Sequence, residues 1–302
     1  MVQLHKYSGA GNDFVVLDGR TEDVSGFRSA ARIAELCDRK HGFAAADGRI
    51  GADGLMILTD DPDYDFRMEY YNSDGSGGMM CGNGGRCIVA FADALGLRPA
   101  DGRIFRFVAA DGPHTGEILA RDGDRKTVRI RMIDVHIFHP ALDGWFLDTG
   151  TRHFVRFVPD VEAVDVEKDG REARWDPLFA PVGANANFVS VDPDGTLRVR
   201  TFEKGVEAET LACGTGITAS AIAAYLVAED SHRAGEPSFA GQEKNARQIL
   251  GVPCSTTPAR TSATAPIRYD IQARIDRLAV DFRPDGDHFT DVYLTGPADE
   301  IR

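Results

Sequence analysis

This sequence has no cluster of basic residues, no long uncharged stretch and no paired cysteine motif, and each absence removes a class of function. Lysine and arginine total 34 against 47 acidic residues, a net charge of −13. Phosphate recognition needs clustered positive charge, so neither nucleic acid nor an anionic membrane is expected as a partner. The longest nearly uncharged run, ITASAIAAYLVA (217–228), is too short to span a bilayer. The opening MVQLHKYSGAGNDF lacks a charged-then-apolar pattern and a small-residue cleavage site. No secretory signal is therefore expected, and the chain is expected in the cytoplasm. Cysteine is sparse and odd in number: Cys37, Cys81, Cys87, Cys213 and Cys254. That argues against a disulfide framework. A zinc site is also a poor fit, because Cys81 and Cys87 have no second close pair and no H-x₃₋₅-H follows. Only six lysines occur, none in a recognisable phosphate-binding context, so pyridoxal phosphate is not expected. Neither metal nor cofactor is implied.

What is present is mostly strand. DFVVLD (13–18), GLMIL (54–58), FVRFV (154–158), NFVSV (187–191) and VYL (292–294) are short β-branched or aliphatic runs. DFRMEYYN (65–72), VRIRM (128–132), LRVRTF (197–202) and LAVDF (278–282) alternate with period two. Helical spacing appears in SAARIAELCDRK (29–40), behind a possible Ser29 cap. Two further runs, GGRCIVAFADALG (84–96) and GITASAIAAYLVA (216–228), are apolar almost all round. A helix of that kind is buried on every side. The chain thus repeats one pattern twice: strands, a Cys-Gly turn, a buried helix, more strands. Each helix is expected to plug its own curved sheet, with a junction near ARDGDRK (120–126). A length of 302 residues fits two domains. HGFAAADGRI (41–50) and the long 231–266 stretch read as loops, with Cys254 a bystander thiol in the second.

The cysteines that carry chemistry open the two buried helices, in MCGNG (80–84) and ACGTG (212–216), about 130 residues apart. Unpaired N–H groups and the macrodipole at a helix N-terminus favour a thiolate. Gly82 and Gly214 let a ligand approach the backbone closely, so a carboxylate could be held by the same amides. A lone cysteine would more simply be a small buried hydrophobe. The repetition argues for function. Two thiols acting on one carbon, one removing a proton and the other supplying one, would invert a stereocentre without a cofactor. The helix amides would stabilise the charge that develops on the carboxylate.

These motifs resemble the diaminopimelate epimerase family. The resemblance rests on YSGAGNDFVVLD (7–18), IGADGLMIL (50–58), YYNSDGSGGMMCGNGGRC (70–87), ANANFVSV (184–191), FEKGVEAETLACGTG (202–216) and VYLTGPADEI (292–301), in the family's order. It implies an α+β fold of two pseudo-symmetric domains, each a curved, mainly antiparallel, barrel-like sheet around a central buried helix. The active site would lie in the cleft between them. Domains of 1–124, joined by the returning strand 290–302, and of 125–289 follow. The implied reaction is interconversion of LL- and meso-2,6-diaminopimelate, in lysine and peptidoglycan precursor synthesis, by a homodimer. Carried over position by position, Cys81 and Cys213 are the bases, with His153 and Glu203 assisting them. Gly82, Asn83, Gly214 and Thr215 would bind the reacting carboxylate. Asn12, Asn72, Asn185 and Lys204 would make the other substrate contacts. For Asn12 and Asn72 the simpler alternative is a turn residue, and for His153 a packed strand residue.

Three departures stand out. Thr151 in GTRH (150–153) replaces a substrate-binding asparagine of the family. Glu203-Lys204 replaces a Glu-Arg pair, exchanging a planar clamp for a point charge, and the link from there to Cys213 is one residue longer. The 41–50 stretch lengthens a loop. Arg152 could return a guanidinium to the substrate's non-reacting end. Competing readings are a proline or hydroxyproline racemase, against which Asn83 and Ala212 argue, a binding protein that kept only the fold, and a cysteine hydrolase, which needs no second thiol.

Overall fold

The computed structural model describes residues 2–78, 80–233 and 265–302. Cys254 and most of the 231–266 stretch lie outside the described residues. The chain forms two compact units, residues 1–131 with 295–302, and residues 132–294.

The first unit contains β1 (His5–Gly9), β2 (Asn12–Asp18), α1 (Ala30–Cys37), β3 (Gly54–Thr59), β4 (Phe66–Asn72), α2 (Gly82–Ala94), β5 (Ile104–Ala109), β6 (Gly112–Asp122) and β7 (Arg125–Arg131). The second contains β8 (Ile137–Ala141), β9 (Gly144–Asp148), β10 (Arg152–Phe157), α3 (Val166–Arg174), β11 (Asn185–Val191), β12 (Leu197–Glu203), β13 (Ala208–Thr210), α4 (Gly214–Arg233), β14 (Ile267–Gln272) and β15 (Arg277–Asp285). The last strand, β16 (His288–Glu300), gives its first half to the second unit and its second half to the first.

In the first unit β1 to β7 follow one another in space, and β16 pairs with both β7 and β1, closing an eight-stranded barrel. The second unit runs β8-β9-β10-β11-β12-β14-β15-β16, with a bridge from Val135 to Phe289. Pairing is antiparallel except at two places in each unit: β2–β3 and β4–β5 in the first, β10–β11 and β12–β14 in the second. A parallel pair needs a long crossover, normally a helix. Accordingly α1 and α3 cross the first parallel pair of their units, and α2 and α4 cross the second. The two cysteine turns therefore occupy the same step of the same topology.

Period-two alternation sorts the crossovers to opposite faces. In the first unit Val15, Leu17, Leu55 and Ile57 pack with Ile33 and Leu36 of α1. In the second, Phe154, Ala186, Phe188 and Phe202 pack with Val166 and Ala173 of α3. The other faces meet α2 and α4, whose side chains are buried from Asn83 to Ala92 and from Ile217 to Tyr225. In α4 the buried Thr218 and Ser220 hydroxyls donate to the carbonyls of Gly214 and Gly216, which satisfies them without a partner outside the helix. Both helices begin two residues earlier than their apolar pattern suggests, because the Gly-Asn and Gly-Thr pairs already have helical backbone. Helix α3 was not expected. Ser29 caps α1 as expected, accepting from the Arg32 N–H. Residues 41–50 form no regular element beyond one bridge, Ala44 to Ile50.

Candidate active site

The earlier helix start makes Cys81 the N-cap of α2. Its backbone is extended, its carbonyl accepts the Gly85 N–H at 2.8 Å, and its Sγ accepts the Gly84 N–H at 3.3 Å. A sulfur accepting a helix-terminal N–H is better placed to carry negative charge than a buried one. Cys213 opens α4 in the same way, its carbonyl taking the Ile217 N–H at 2.8 Å, and its Sγ lies 3.4 Å from the Thr215 hydroxyl. The other described cysteines differ. Burial pushes the Cys37 thiol up to about 11 and the Cys87 thiol higher still, so both stay protonated.

Around Cys81 the polar groups form a chain with a defined direction. Arg86, fully buried one turn into α2, donates to the carbonyls of Gly82 and Pro297 and to Asn83 Oδ1 at 2.8 Å. That fixes the Asn83 amide, whose Nδ2 donates to Asn12 Oδ1 at 2.6 Å. Asn12 in turn donates to Asp53, which Arg39 also holds. Lys6 and Arg39 both pair with Asp13, and Lys6 also reaches the Gly51 carbonyl, just after residues 41–50. Asn12, Gly82 and Asn83 are thus gathered at the first helix start. Asn72 is not among them. Its side chain donates to Ser76 Oγ at 3.0 Å, and its backbone closes the NSDGS turn.

In the second unit strand register collects the remaining residues. Asn185 and Asn187 are two apart on β11, His153 lies on β10, and Thr201 stands opposite Asn187 on β12, all toward α4. Asn187 Nδ2 donates to His153 Nδ1 at 3.1 Å and to the Phe154 carbonyl at 3.0 Å, while Thr201 donates to Asn187 Oδ1. On the other side of the ring, His153 Nε2 lies 2.8 Å from the Thr151 hydroxyl and 3.0 Å from that of Thr215. Full burial and the nearby Lys204 ammonium push the imidazole down to about 3, so the ring is neutral. The buried Thr149 hydroxyl donates to the Thr215 carbonyl and ties down the helix start.

Asn185 is largely committed to the fold. Its Oδ1 accepts the Lys204 N–H at 2.7 Å and its Nδ2 donates to the Arg152 carbonyl and to Thr151. What it retains for a ligand is a second acceptor lone pair on Oδ1. Glu203 ends β12 on the face that carries Thr201, and its carbonyl accepts the Glu207 N–H. Between Glu203 and Cys213 the chain turns through the β12–β13 hairpin, where Gly205 and Glu207 have positive φ. Arg152 turns away from His153: its guanidinium reaches the Phe179 carbonyl and stacks over Phe146, so it offers nothing to the face that carries His153. Sequence reading missed Arg86, Asn187 and Thr201. Two asparagines spaced by two inside a strand, against ordinary strand preference, were the available signal for Asn187.

Helix α4 reaches this cluster only because residue 216 has no side chain. A Cβ there would sit 2.3 Å from Asn187 Oδ1 and 3.2 Å from His153 Cε1. Gly216→Ala is therefore expected to destabilise the protein by about 1–3 kcal/mol, read as a lower urea midpoint. Gly26→Ala, where a Cβ meets open space, should leave the midpoint in place. Equal midpoints for the two variants would contradict the packing described.

Comparison with known proteins agrees with this geometry. The model of the family described as diaminopimelate epimerase matches residues 4–104 and 145–236. The diaminopimelate epimerase of Flavobacterium psychrophilum is 35% identical over 300 residues, covering 99% of this chain and 98% of that protein. That of Aquifex aeolicus is 40% identical over 235 residues, covering 74% and 82%. The chain belongs to the diaminopimelate epimerase family. Members of this family are isomerases, and both cysteine turns fall inside the matched segments. Among solved structures, a Bacillus anthracis phenazine biosynthesis protein of the PhzF family superposes with a TM-score of 0.64 at 12% identity, covering 99% of this chain and 96% of that one. A hydroxyproline epimerase from Agrobacterium vitis superposes at 0.56 and 15%, covering 99% and 89%. At such identities the likeness concerns the fold, which is the expected α+β architecture with a closed eight-stranded barrel. Among the described residues no helix is long and apolar enough to cross a membrane, and no three His, Cys, Asp or Glu side chains group as a metal site would require.

Proposed function

We propose that the chain interconverts LL- and meso-2,6-diaminopimelate by proton transfer at an α-carbon, with Cys81 and Cys213 as the two bases and no cofactor. Family membership supports the substrate. The observation that carries the mechanism is the repetition: two cysteines, each at the start of the helix that crosses the second parallel pair of its unit. In this reading the backbone N–H groups of Gly82, Asn83, Gly214 and Thr215 bind the reacting carboxylate, since helix starts favour anions. The Thr215 hydroxyl serves Cys213 instead. Asn12 and Asn185 take the substrate's amino groups, Glu203 assists the thiols, and Lys204 meets the distal end, where it supplies a point charge rather than a fork. Asn72 contributes through the turn it closes. The enzyme is taken to be a cytoplasmic homodimer in lysine and peptidoglycan precursor synthesis, as the family resemblance implies.

The decisive measurement is incubation of LL-diaminopimelate with the protein in deuterated water. Deuterium should enter the α-position as the meso isomer forms. A proline or hydroxyproline racemase, the reading next in line on fold alone, would instead label those amino acids. Labelling of neither would overturn the proposal.

A further inference from the structure

Asn187 touches neither cysteine, and nothing in the reaction as described needs it. Its amide is nevertheless fixed at both ends. The Phe154 carbonyl can only accept, so the atom 3.0 Å from it must be Nδ2, and Thr201 donates to Oδ1 at 2.9 Å. The same Nδ2 lies 3.1 Å from His153 Nδ1. A donor there requires an unprotonated Nδ1, and a neutral ring then carries its single proton on Nε2. We infer that Asn187 is a positioning residue for Cys213: by holding His153 as the Nε2–H tautomer, it sets the direction of a hydrogen-bond relay that ends on the sulfur.

The direction follows bond by bond. His153 Nε2–H donates toward the hydroxyls of Thr151 and Thr215, at 2.8 and 3.0 Å; Asn185 Nδ2, also 3.5 Å from Nε2, spends its two hydrogens on the closer Arg152 carbonyl and Thr151 hydroxyl. Thr151 also accepts from Asn185 Nδ2 at 3.3 Å, so its own proton is available to Thr215, 3.2 Å away. Thr215, accepting from both, has its proton left for Cys213 Sγ at 3.4 Å. Every donor points toward the sulfur, which favours the thiolate, since hydrogen bonds to a charged acceptor are the strong ones. With the proton on Nδ1 the relay would lose its source. Nε2 would accept a threonine hydroxyl proton instead of donating one, and the Thr215 hydroxyl would no longer be held toward the sulfur by a donor from the ring. His153 thus acts as a neutral donor held in one tautomer, and Thr151 is a member of the relay. The thiolate's use as a base rests on the function proposed above; the relay does not.

The test needs no substrate. In protein labelled with nitrogen-15 at histidine, with the His153 signals assigned by their loss in His153→Gln, the ring near neutral pH is expected to be singly protonated on Nε2. A proton on Nδ1, or on both nitrogens, overturns the inference. The Cys213 thiolate is read from ultraviolet absorbance as the difference between each variant and the same variant carrying Cys213→Ser. Thr215→Val should lower it about tenfold, the worth of one hydrogen bond to a charged group, and Thr215→Ser should restore it. Asn187→Leu should mix the tautomers and lower the Cys213 thiolate, leaving that of Cys81 unchanged. An unaltered tautomer and thiolate in Asn187→Leu would refute the assignment. Should that variant not fold, the wild-type tautomer and the Thr215 pair still decide. A protein with this relay intact but no exchange on diaminopimelate would sink the epimerase reading and spare the relay.

Discussion

Cys81→Ala and Cys213→Ala are each expected to lower inversion of diaminopimelate by roughly 10²–10⁴-fold, the range for losing one positioned acid or base. Rate loss alone would not separate a two-base site from any other essential thiol. Stereochemistry does. With one base left, only the isomer whose α-hydrogen faces that base can be deprotonated, and the proton must return to the same face. Each variant should therefore exchange solvent deuterium into one isomer without inverting it, and the two variants should choose opposite isomers. Cys37→Ala and Cys87→Ala are the controls. Both thiols are buried and held protonated, so their loss should affect stability rather than turnover. If either helix-cap variant still inverted its substrate at the wild-type rate, or if both exchanged the same isomer, the two-thiol assignment would be lost.

Much of the architecture could be read from residue pattern because burial and period agree. Phe66 and Met68 alternate with Arg67 and Glu69 in β4, and all but one residue of β2 between its ends is apolar because that strand is covered on both faces. The two helices without a polar face could only be interior. Elements were missed where the pattern was diluted. Helix α3, VEKDGREAR, buries only Val166, Gly170, Ala173 and Arg174, the last paired with Glu207. Its apolar face is three small residues at helical spacing, and the signal that remained was the Asp165 cap. Strand β8 contains Pro140, which ordinarily argues against a strand; it is tolerated because, among the described residues, β8 stands last in the strand order and pairs with β9 alone.

The site divides along a similar line. Cys81 and Cys213 were legible because their chemistry depends on local sequence, a cap followed by glycine. Asn187 and Arg86 were not, because their importance comes from which carbonyl or amide stands across from them. Register decides that. The pairing of Asn187 with Thr201 and of Val155 with Asn187 has no trace in the spacing of either segment. Asn72 illustrates the converse: the residues that resemble a family contact are the same ones that make a turn, and sequence cannot apportion the two.

The state of His153 has a consequence for the whole molecule. In the folded chain its pKa falls from 6.5 to about 3, because burial and the Lys204 charge both oppose protonation. In the unfolded chain the ring titrates normally, so below pH 6.5 the unfolded state binds the extra proton. Stability must then fall with falling pH, at about 1.4 kcal/mol per pH unit, until the folded ring itself protonates. Between pH 7 and pH 5 this one residue should remove about 2 kcal/mol of stability. Carboxylates titrate in part of the same range, so the comparison that isolates it is wild type against His153→Gln, each unfolded in urea at both pH values. The wild type should lose about 2 kcal/mol more than the variant. Parallel losses would mean that the ring already carries a proton in the folded state or is open to water. A charged His153 could not accept the Asn187 amide at Nδ1, so that result would also remove the geometric basis for a neutral donor beside Thr215.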